Sequence, residues 1–339
     1  SNNKIIEKTE KDIIYNSNII NIHGIPKDLD ISFIVIEFVD ENGNKRYLKS
    51  NSFQYPIEKN NILVTTPKPL VSPNKQFGTF LVNKSLVNNW HAKGIEVIGG
   101  SIYLSVSNND SPPFSRGTVI KMDSTDGNNW KDLISYSGDF RTSMGGQISG
   151  VSVVGSKIIV TAYFSTIYTF DTKKDSLKID RTVGAKDLTS IGENVFISNG
   201  LVEKFDISTS LRTHIKGMSV TGGICSDNLG IIYGVSNKSI KKVTLVGQVQ
   251  DIITSQLYNP IDIAIDNRNG DIYVLESTTI QRFNSKGELL TSFTNGAIKA
   301  SSIAIDEVGA VYVADTGTSN KDSKVIKFNP SINSEETVK

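Results

Sequence analysis

The sequence predicts an all-β chain: a six-bladed β-propeller over residues 71–339, preceded over residues 1–70 by a small β-sandwich of Ig-like type. Three observations predict it. Residues 258–330 state one pattern twice, the pattern recurs more loosely back to residue 99, and an unpaired β run stands just ahead of the first repeat.

The doubled stretch begins Asn-Pro-Ile-Asp-Ile-Ala-Ile-Asp (259–266), then a polar turn, Asp-Ile-Tyr-Val-Leu-Glu (271–276) and Ile-Gln-Arg-Phe (280–283). Its second copy runs Ala-Ser-Ser-Ile-Ala-Ile-Asp (300–306), Ala-Val-Tyr-Val-Ala-Asp (310–315) and Val-Ile-Lys-Phe (325–328). Asp266 and Asp306 are 40 residues apart, Tyr273 and Tyr312 are 39. Short apolar runs split by turn residues at a period near ~40 mark a propeller blade.

Walking backwards, Ile232-Tyr233, Val195-Phe196-Ile197, Ile158-Ile159-Val160 and Ile102-Tyr103-Leu104 repeat the second strand. Anchors at 103, 159, 196, 233, 273 and 312 give steps of 56, 37, 37, 40 and 39, hence six units. A second column agrees with the count: Met122-Asp123, Phe170-Asp171, Phe205-Asp206, Val243-Thr244, Phe283-Asn284 and Phe328-Asn329. A fourth run follows in five units, as at Leu177–Ile179, Ile252-Ile253 and Leu289–Phe293, and four strands make one blade.

The sixth unit lacks its fourth strand, since residues 331–339 are short and polar. Residues 77–82, Phe-Gly-Thr-Phe-Leu-Val, are a spare strand, and using them to finish the last blade removes two exposed sheet edges. Seven blades are the competing count, requiring an irregular blade within residues 105–145.

Ahead of the repeats, Ile13–Tyr15, Ile19–Ile22, Ile31–Val39, Arg46–Leu48, Phe53–Ile57 and Ile62–Val64 are short β-type runs, with Asn42-Gly43 as a hairpin turn. Residues 1–12 form a charged lead, and Pro67, Pro69 and Pro73 punctuate a linker near residue 70.

Composition narrows the function classes. The chain is 38% hydrophobic and 21% charged with a net charge of +1, which gives no electrostatic reason to expect nucleic acid. No apolar run is long enough for a spanning helix, so no transmembrane segment is expected. A lone cysteine, Cys225, excludes an internal disulfide and reads as a small buried residue. Ser1-Asn2-Asn3 lacks an initiator Met and no signal peptide is present, so an excised segment or a processed mature form is expected.

The pattern at 259–328 resembles the NHL-repeat propellers, and blades two to four resemble the looser bacterial surface propellers of YVTN or quinoprotein-like kind. The resemblance implies a propeller fold and a choice among binding of proteins, RNA or small molecules, with a few members lyases or hydrolases. It departs from the family where Thr279 and Lys324 replace the Arg of the third strand. In gluconolactonase-like relatives, acids and Asn around the axis hold one divalent cation, usually calcium; this sequence offers acids such as Glu276 and Asp315 at strand ends, and no motif picks out a ligand set.

The residues themselves point elsewhere. Asp227, Asp266 and Asp306 follow a strand at a turn, where an Asp side chain caps backbone amides two residues on. His23, His91 and His214 have no partner at zinc-type spacing, and Ser143-Met144-Gly145-Gly146 does not match a nucleophile elbow. No catalytic or metal-ligating residue is assigned, and no cofactor is expected beyond the calcium of the resemblance. Residues 107–117 form an enlarged loop in the irregular first unit, and long loops on a rigid frame carry binding. Phe114, Arg116, Trp90 and Trp130 are the candidate ligand contacts, since aromatics stack on sugars or anchor partners.

These readings predict a non-enzymatic binding or scaffolding protein that captures a protein or carbohydrate ligand. The expected location is extracytoplasmic, at a bacterial cell surface or in the periplasm, as a secreted protein or a lipoprotein anchored before processing. The alternative is a lactonase- or lyase-like propeller enzyme with a divalent metal in its central channel.

Overall fold

In the computed structural model the described residues are 90–108, 117–125, 127, 129, 131–133, 148–162, 166–180, 185–244, 247–254, 257–318 and 322–329, with the backbones of six strands before residue 82. Every regular element among them is a β-strand. The chain divides into two compact units, residues 1–71 with 333–339, and Ser72–Ile332.

In the first unit Ile19–His23, Asn61–Thr65 and Phe53–Gln54 make a three-stranded sheet with Asn61–Thr65 in the middle. Ile34–Val39 and Lys45–Ser50 pair antiparallel in register Val39↔Lys45, flanking the Asn42-Gly43 signal. The residues between them, the run at 13–15 and the charged lead lie outside the described residues.

The second unit is a ring of six four-stranded antiparallel sheets. Blade one spans Trp90–Asp132, blade two Ile148–Asp180, blade three Asp187–Ser219 and blade four Ile224–Ile253. Blade five spans Pro260–Thr294, and blade six Ala300–Phe328. Residues 105–145 contribute Gly117–Asp123 and the two-residue strand Lys131–Asp132 to blade one, so the described blades number six. The strand Gln76–Leu81 completes blade six, antiparallel to Lys324–Phe328, with Thr79 opposite Ile326. The predicted closing strand, 77–82, is off by one residue.

Sheet faces pack on sheet faces, and each of the six blade junctions holds its own apolar cluster. Between blades six and one, Ala304, Tyr312 and Val325 meet Ile95, Leu104 and Met122. Between blades five and six, Tyr273, Leu275 and Ile280 meet Ile303, Val313 and Phe328. The other four junctions repeat this. Burying both faces of middle strands explains why the second strands read as unbroken apolar runs rather than as alternation.

The first hairpins divide the ring in half. Blades one to three turn in two residues, Gly99-Gly100, Gly155-Ser156 and Gly192-Glu193. Gly99, Gly100, Gly155 and Gly192 have φ between +56° and +69°, the left-handed region that two-residue hairpins require. Blades four to six use longer turns opened by Asp227, Asp266 and Asp306. Asp227 Oδ1 accepts the amides of Leu229 and Ile231, and Asp306 Oδ1 those of Val308 and Ala310. Asp266 Oδ1 accepts the Arg268 amide, and its carboxylate is clamped by the Arg268 guanidinium. The recurrent acid is turn chemistry.

Candidate ligand-binding site on the ring axis

The first strand of each blade is the edge strand of its sheet, and the six edge strands neighbour one another around the axis. At one level of that inner ring lies a pocket of about 300 Å³ to which every blade contributes. Blade one gives Lys93, blade two Ile148 and Ser149, and blade six Ser301 and Ser302. Lys186 and Asp187 come from the start of blade three, Gly222 and Gly223 from just ahead of blade four, and Ile261 and Asp262 from blade five.

Two carboxylates, Asp187 and Asp262, line it. Asp262 accepts hydrogen bonds from its neighbour's amide, Ile263, at 2.8 Å and, across the blade joint, from Ser302 Oγ at 2.7 Å and the Ile303 amide at 2.9 Å. Asp187 Oδ2 accepts the Ile224 amide of blade four at 2.8 Å. Both face the same glycine: a Cβ on Gly223 would overlap Asp262 Oδ1 and lie 3.1 Å from Asp187 Oδ2. Loss of hydration pushes Asp262 up to about 6 against its three donors. Asp187 is raised well above the ordinary carboxylate value by the same burial and by the charge of Asp262.

A third acid, Glu96 of blade one, follows the same rule one level away. Its Oε2 accepts the Val153 amide of blade two at 2.5 Å, and burial raises it to about 7. Acids on blades one, three and five thus reach to blades two, four and six. The alternate joints use neutral groups: Ser152 Oγ and Ser190 Oγ at 2.8 Å, the Gly223 amide on the Ile261 carbonyl, and Ser301 Oγ on the Ala92 carbonyl. A buried carboxylate with amide and hydroxyl donors is satisfied without a cation.

The rim is basic. Lys93 is half-buried, and its ammonium is held below the ordinary lysine value by that burial and by the nearby charge of Lys299. Lys186 is exposed beside Asp187. Hydroxyls, carboxylates and ammonium groups therefore share one opening.

Of the residues singled out from sequence, Phe114, Arg116 and Trp130 lie outside the described residues, as does the side chain of Trp90, whose backbone opens blade one opposite Asn108. Glu276 and Asp315 are spent on local structure. Glu276 accepts the Tyr258 and Asn259 amides, Thr279 Oγ1 and Gln281 Nε2. Asp315 accepts the amides of Ile298, Lys299 and Gly317. His91 is buried at the joint of blades one and six, where its Nδ1 donates to the Thr316 carbonyl. His214 is exposed on the outer strand of blade three, and His23 is described by backbone alone. Cys225 sits on the inner strand of blade four, and burial beside Asp262 raises its thiol well above the ordinary value.

The donor set does not suit a divalent cation. Among the described residues no three His, Cys, Asp or Glu side chains gather closely enough to hold one. The axial acids are turned onto amides and hydroxyls, and Lys93 and Lys186 share their pocket.

The axial residues were not singled out from sequence. Each sits ten or eleven residues ahead of its blade's anchor: Lys93 before Tyr103, Ser149 before Ile159, Lys186 before Phe196, Gly223 before Tyr233, Asp262 before Tyr273, Ser302 before Tyr312. That offset was the available signal.

Fold and site together define a six-bladed β-propeller protein with a polar axial pocket. No protein-family model and no curated protein matches the sequence. Solved propellers match the fold. A streptogramin B lyase superposes with a TM-score of 0.53 at 12% identity, covering 75% of this chain and 98% of its own. A gluconolactonase from Xanthomonas campestris gives 0.53 at 11%, covering 76% and 98%. Regucalcin, a calcium-binding protein from Agrobacterium tumefaciens, gives 0.54 at 10%, covering 76% and 95%. At such identities the likeness is one of fold.

Proposed function

We propose that this chain is a binding protein that performs no chemistry, belongs to the NHL-like propellers by its motif at 259–328, and captures a carbohydrate ligand at the axial pocket. The observation that carries the reading is the convergence of all six blades on one pocket that holds both ammonium donors and oxygen acceptors. A sugar presents hydroxyls that both give and receive hydrogen bonds, which suits the lysine ammonium donors beside the acceptor oxygens of serine hydroxyls and carboxylates. The residues 1–70, as an Ig-like sandwich, would carry the ring at an extracytoplasmic site. Isothermal titration with a panel of mono- and oligosaccharides tests it. Lys186→Ala, on the exposed rim, should weaken the best ligand about tenfold, as loss of a charge-assisted hydrogen bond does, with an unchanged unfolding midpoint. No heat with any sugar would sink the reading.

One observation favours a second reading, a lactonase- or lyase-like enzyme. Asp187 and Asp262 share one glycine with raised affinities for protons, an arrangement that places an acid and a base together near neutral pH. Stoichiometric calcium or zinc in the purified protein, with turnover of a lactone lost on chelation, would establish that reading in place of the first.

A further inference from the structure

Blades one, four, five and six place a tyrosine on the second strand directly opposite a cation on the third. The pairs are Tyr103 with Lys121, Tyr233 with Lys242, Tyr273 with Arg282 and Tyr312 with Lys327. In three of them the protein supplies the oxygen acceptors. Tyr312 Oη donates to Asp306 Oδ2 at 3.0 Å and to the Ser124 carbonyl at 3.1 Å, and Lys327 Nζ reaches that carbonyl at 2.6 Å. Tyr233 Oη donates to Asp227 Oδ2 at 3.0 Å. The Arg282 guanidinium over Tyr273 is paired with Asp271.

Among its described residues, blade one has the donors without the acid. Lys121 Nζ lies 5.4 Å from the centre of the Tyr103 ring, and Lys131 stands opposite Lys121 on the outermost strand. The hairpin that carries Asp227 or Asp306 elsewhere is the tight Gly99-Gly100 turn. Glu96, the first-strand member of the row, is turned onto the Val153 amide, and Asp123 is held by Asn129 at the hairpin end. Among the described residues no carboxylate pairs with Lys121 or Lys131. A pocket of about 220 Å³ opens over Tyr103, Lys121 and Lys131, walled on the blade-two side by Gly155, Ser156 and Thr172.

Two ammonium groups on directly opposed positions repel each other unless an anion stands between them. We propose that this pocket is a carboxylate-binding site, in which a carboxylate from outside the ring is bound by Lys121, Lys131 and Tyr103 Oη, in the role that Asp306 plays within blade six. Its chemistry is charge-assisted hydrogen bonding to an anion. The site is separate from the axial pocket and stands or falls independently of it.

The test is titration of the full ¹⁵N-labelled chain with acetate, with succinate and with a short peptide bearing a free C-terminal carboxylate, at ionic strength held constant with sodium chloride. The Gly155 and Ser156 amide resonances should shift saturably. Lys121→Met should weaken binding about tenfold, Lys121→Arg should stay within about threefold of the parent, and Lys327→Met in blade six should leave binding unchanged. Saturation by acetate or succinate identifies a small-molecule source; saturation by the peptide alone identifies a protein one. No saturable shift with any of the three, a shift reproduced by inorganic phosphate alone, or equal affinity in Lys121→Met at an unchanged unfolding midpoint overturns the proposal.

Discussion

The phenol of Tyr312 donates a hydrogen bond at 3.0 Å to the carboxylate of Asp306, six residues back along the chain, and Tyr233 does the same to Asp227 at the same distance. The other oxygen of each carboxylate holds two turn amides, so one acid fastens the hairpin to the second strand. Burial and the charge of Asp306 raise the Tyr312 phenol well above its ordinary value, and it stays a donor at any physiological pH. Tyr312→Phe should cost about 1 kcal/mol. In a double-mutant cycle by denaturant unfolding, Tyr312→Phe and Asp306→Asn should together cost less than their sum. Strict additivity would show the bond to be energetically silent.

Gly223 is required by its neighbours rather than by its backbone. Gly223→Ala should destabilise the ring by roughly 2 kcal/mol or more, because the new methyl must displace the Asp262 carboxylate from its three donors. Combining it with Asp262→Ser should give back part of that loss. Thermal unfolding of the two single variants and the double variant checks this.

Closure by Gln76–Leu81 predicts a sharp boundary for truncation. A chain beginning at residue 72 should fold as a ring, whereas one beginning at residue 83 leaves Lys324–Phe328 as a bare edge and should unfold earlier and aggregate. Size-exclusion chromatography and scanning calorimetry of the pair decide it. Equal behaviour would mean that the strand contributes nothing.

The buried acids set a pH dependence of definite sign. Glu96 at about 7 and Asp262 at about 6 hold protons more tightly folded than unfolded, and Asp187 is raised in the same direction. The folded state therefore carries more protons between about pH 4 and 7, and stability falls as pH rises through that window. Each extra bound proton costs ~1.4 kcal/mol of stability for every pH unit climbed. Asp206, lowered by hydrogen bonds from Ser208 and Thr209, acts oppositely and loses its contribution as the pH falls below about 4. The unfolding midpoint should thus be higher at pH 5.5 than at pH 8, and Glu96→Gln should flatten that slope.

The ring was legible because its repeats are written locally. Tyr273 and Tyr312 fall in near-identical strands, and Asp227, at a turn beside Ile231-Ile232-Tyr233, announces a cap. The closing strand was legible as Phe77–Val82, an apolar run with no partner nearby, and the observed pairing ends one residue earlier. The axial site was not. Lys93 and Ser302 lie 209 residues apart, meet only because the ring closes, and belong to no local motif. Asp262 looked like an ordinary polar interruption within Ile-Asp-Ile, since nothing nearby reveals that its donors are Ser302 and Ile303 of the next blade. Distributing a site over six blades hides it from any reading that looks for neighbours in sequence.

The closing strand also sets a clock. Leu81 is paired with Lys324, 243 residues downstream. At ordinary synthesis rates of ~5–20 residues per second, Gln76–Leu81 must wait on the order of tens of seconds before its partner exists. Through that interval it must avoid pairing with the blades that emerge first, and Gly78 in its middle weakens it as a nucleus for a sheet of its own. The ring is thus finished by pairing its own first strand with the third strand of its last blade, so closure waits until that blade has been made.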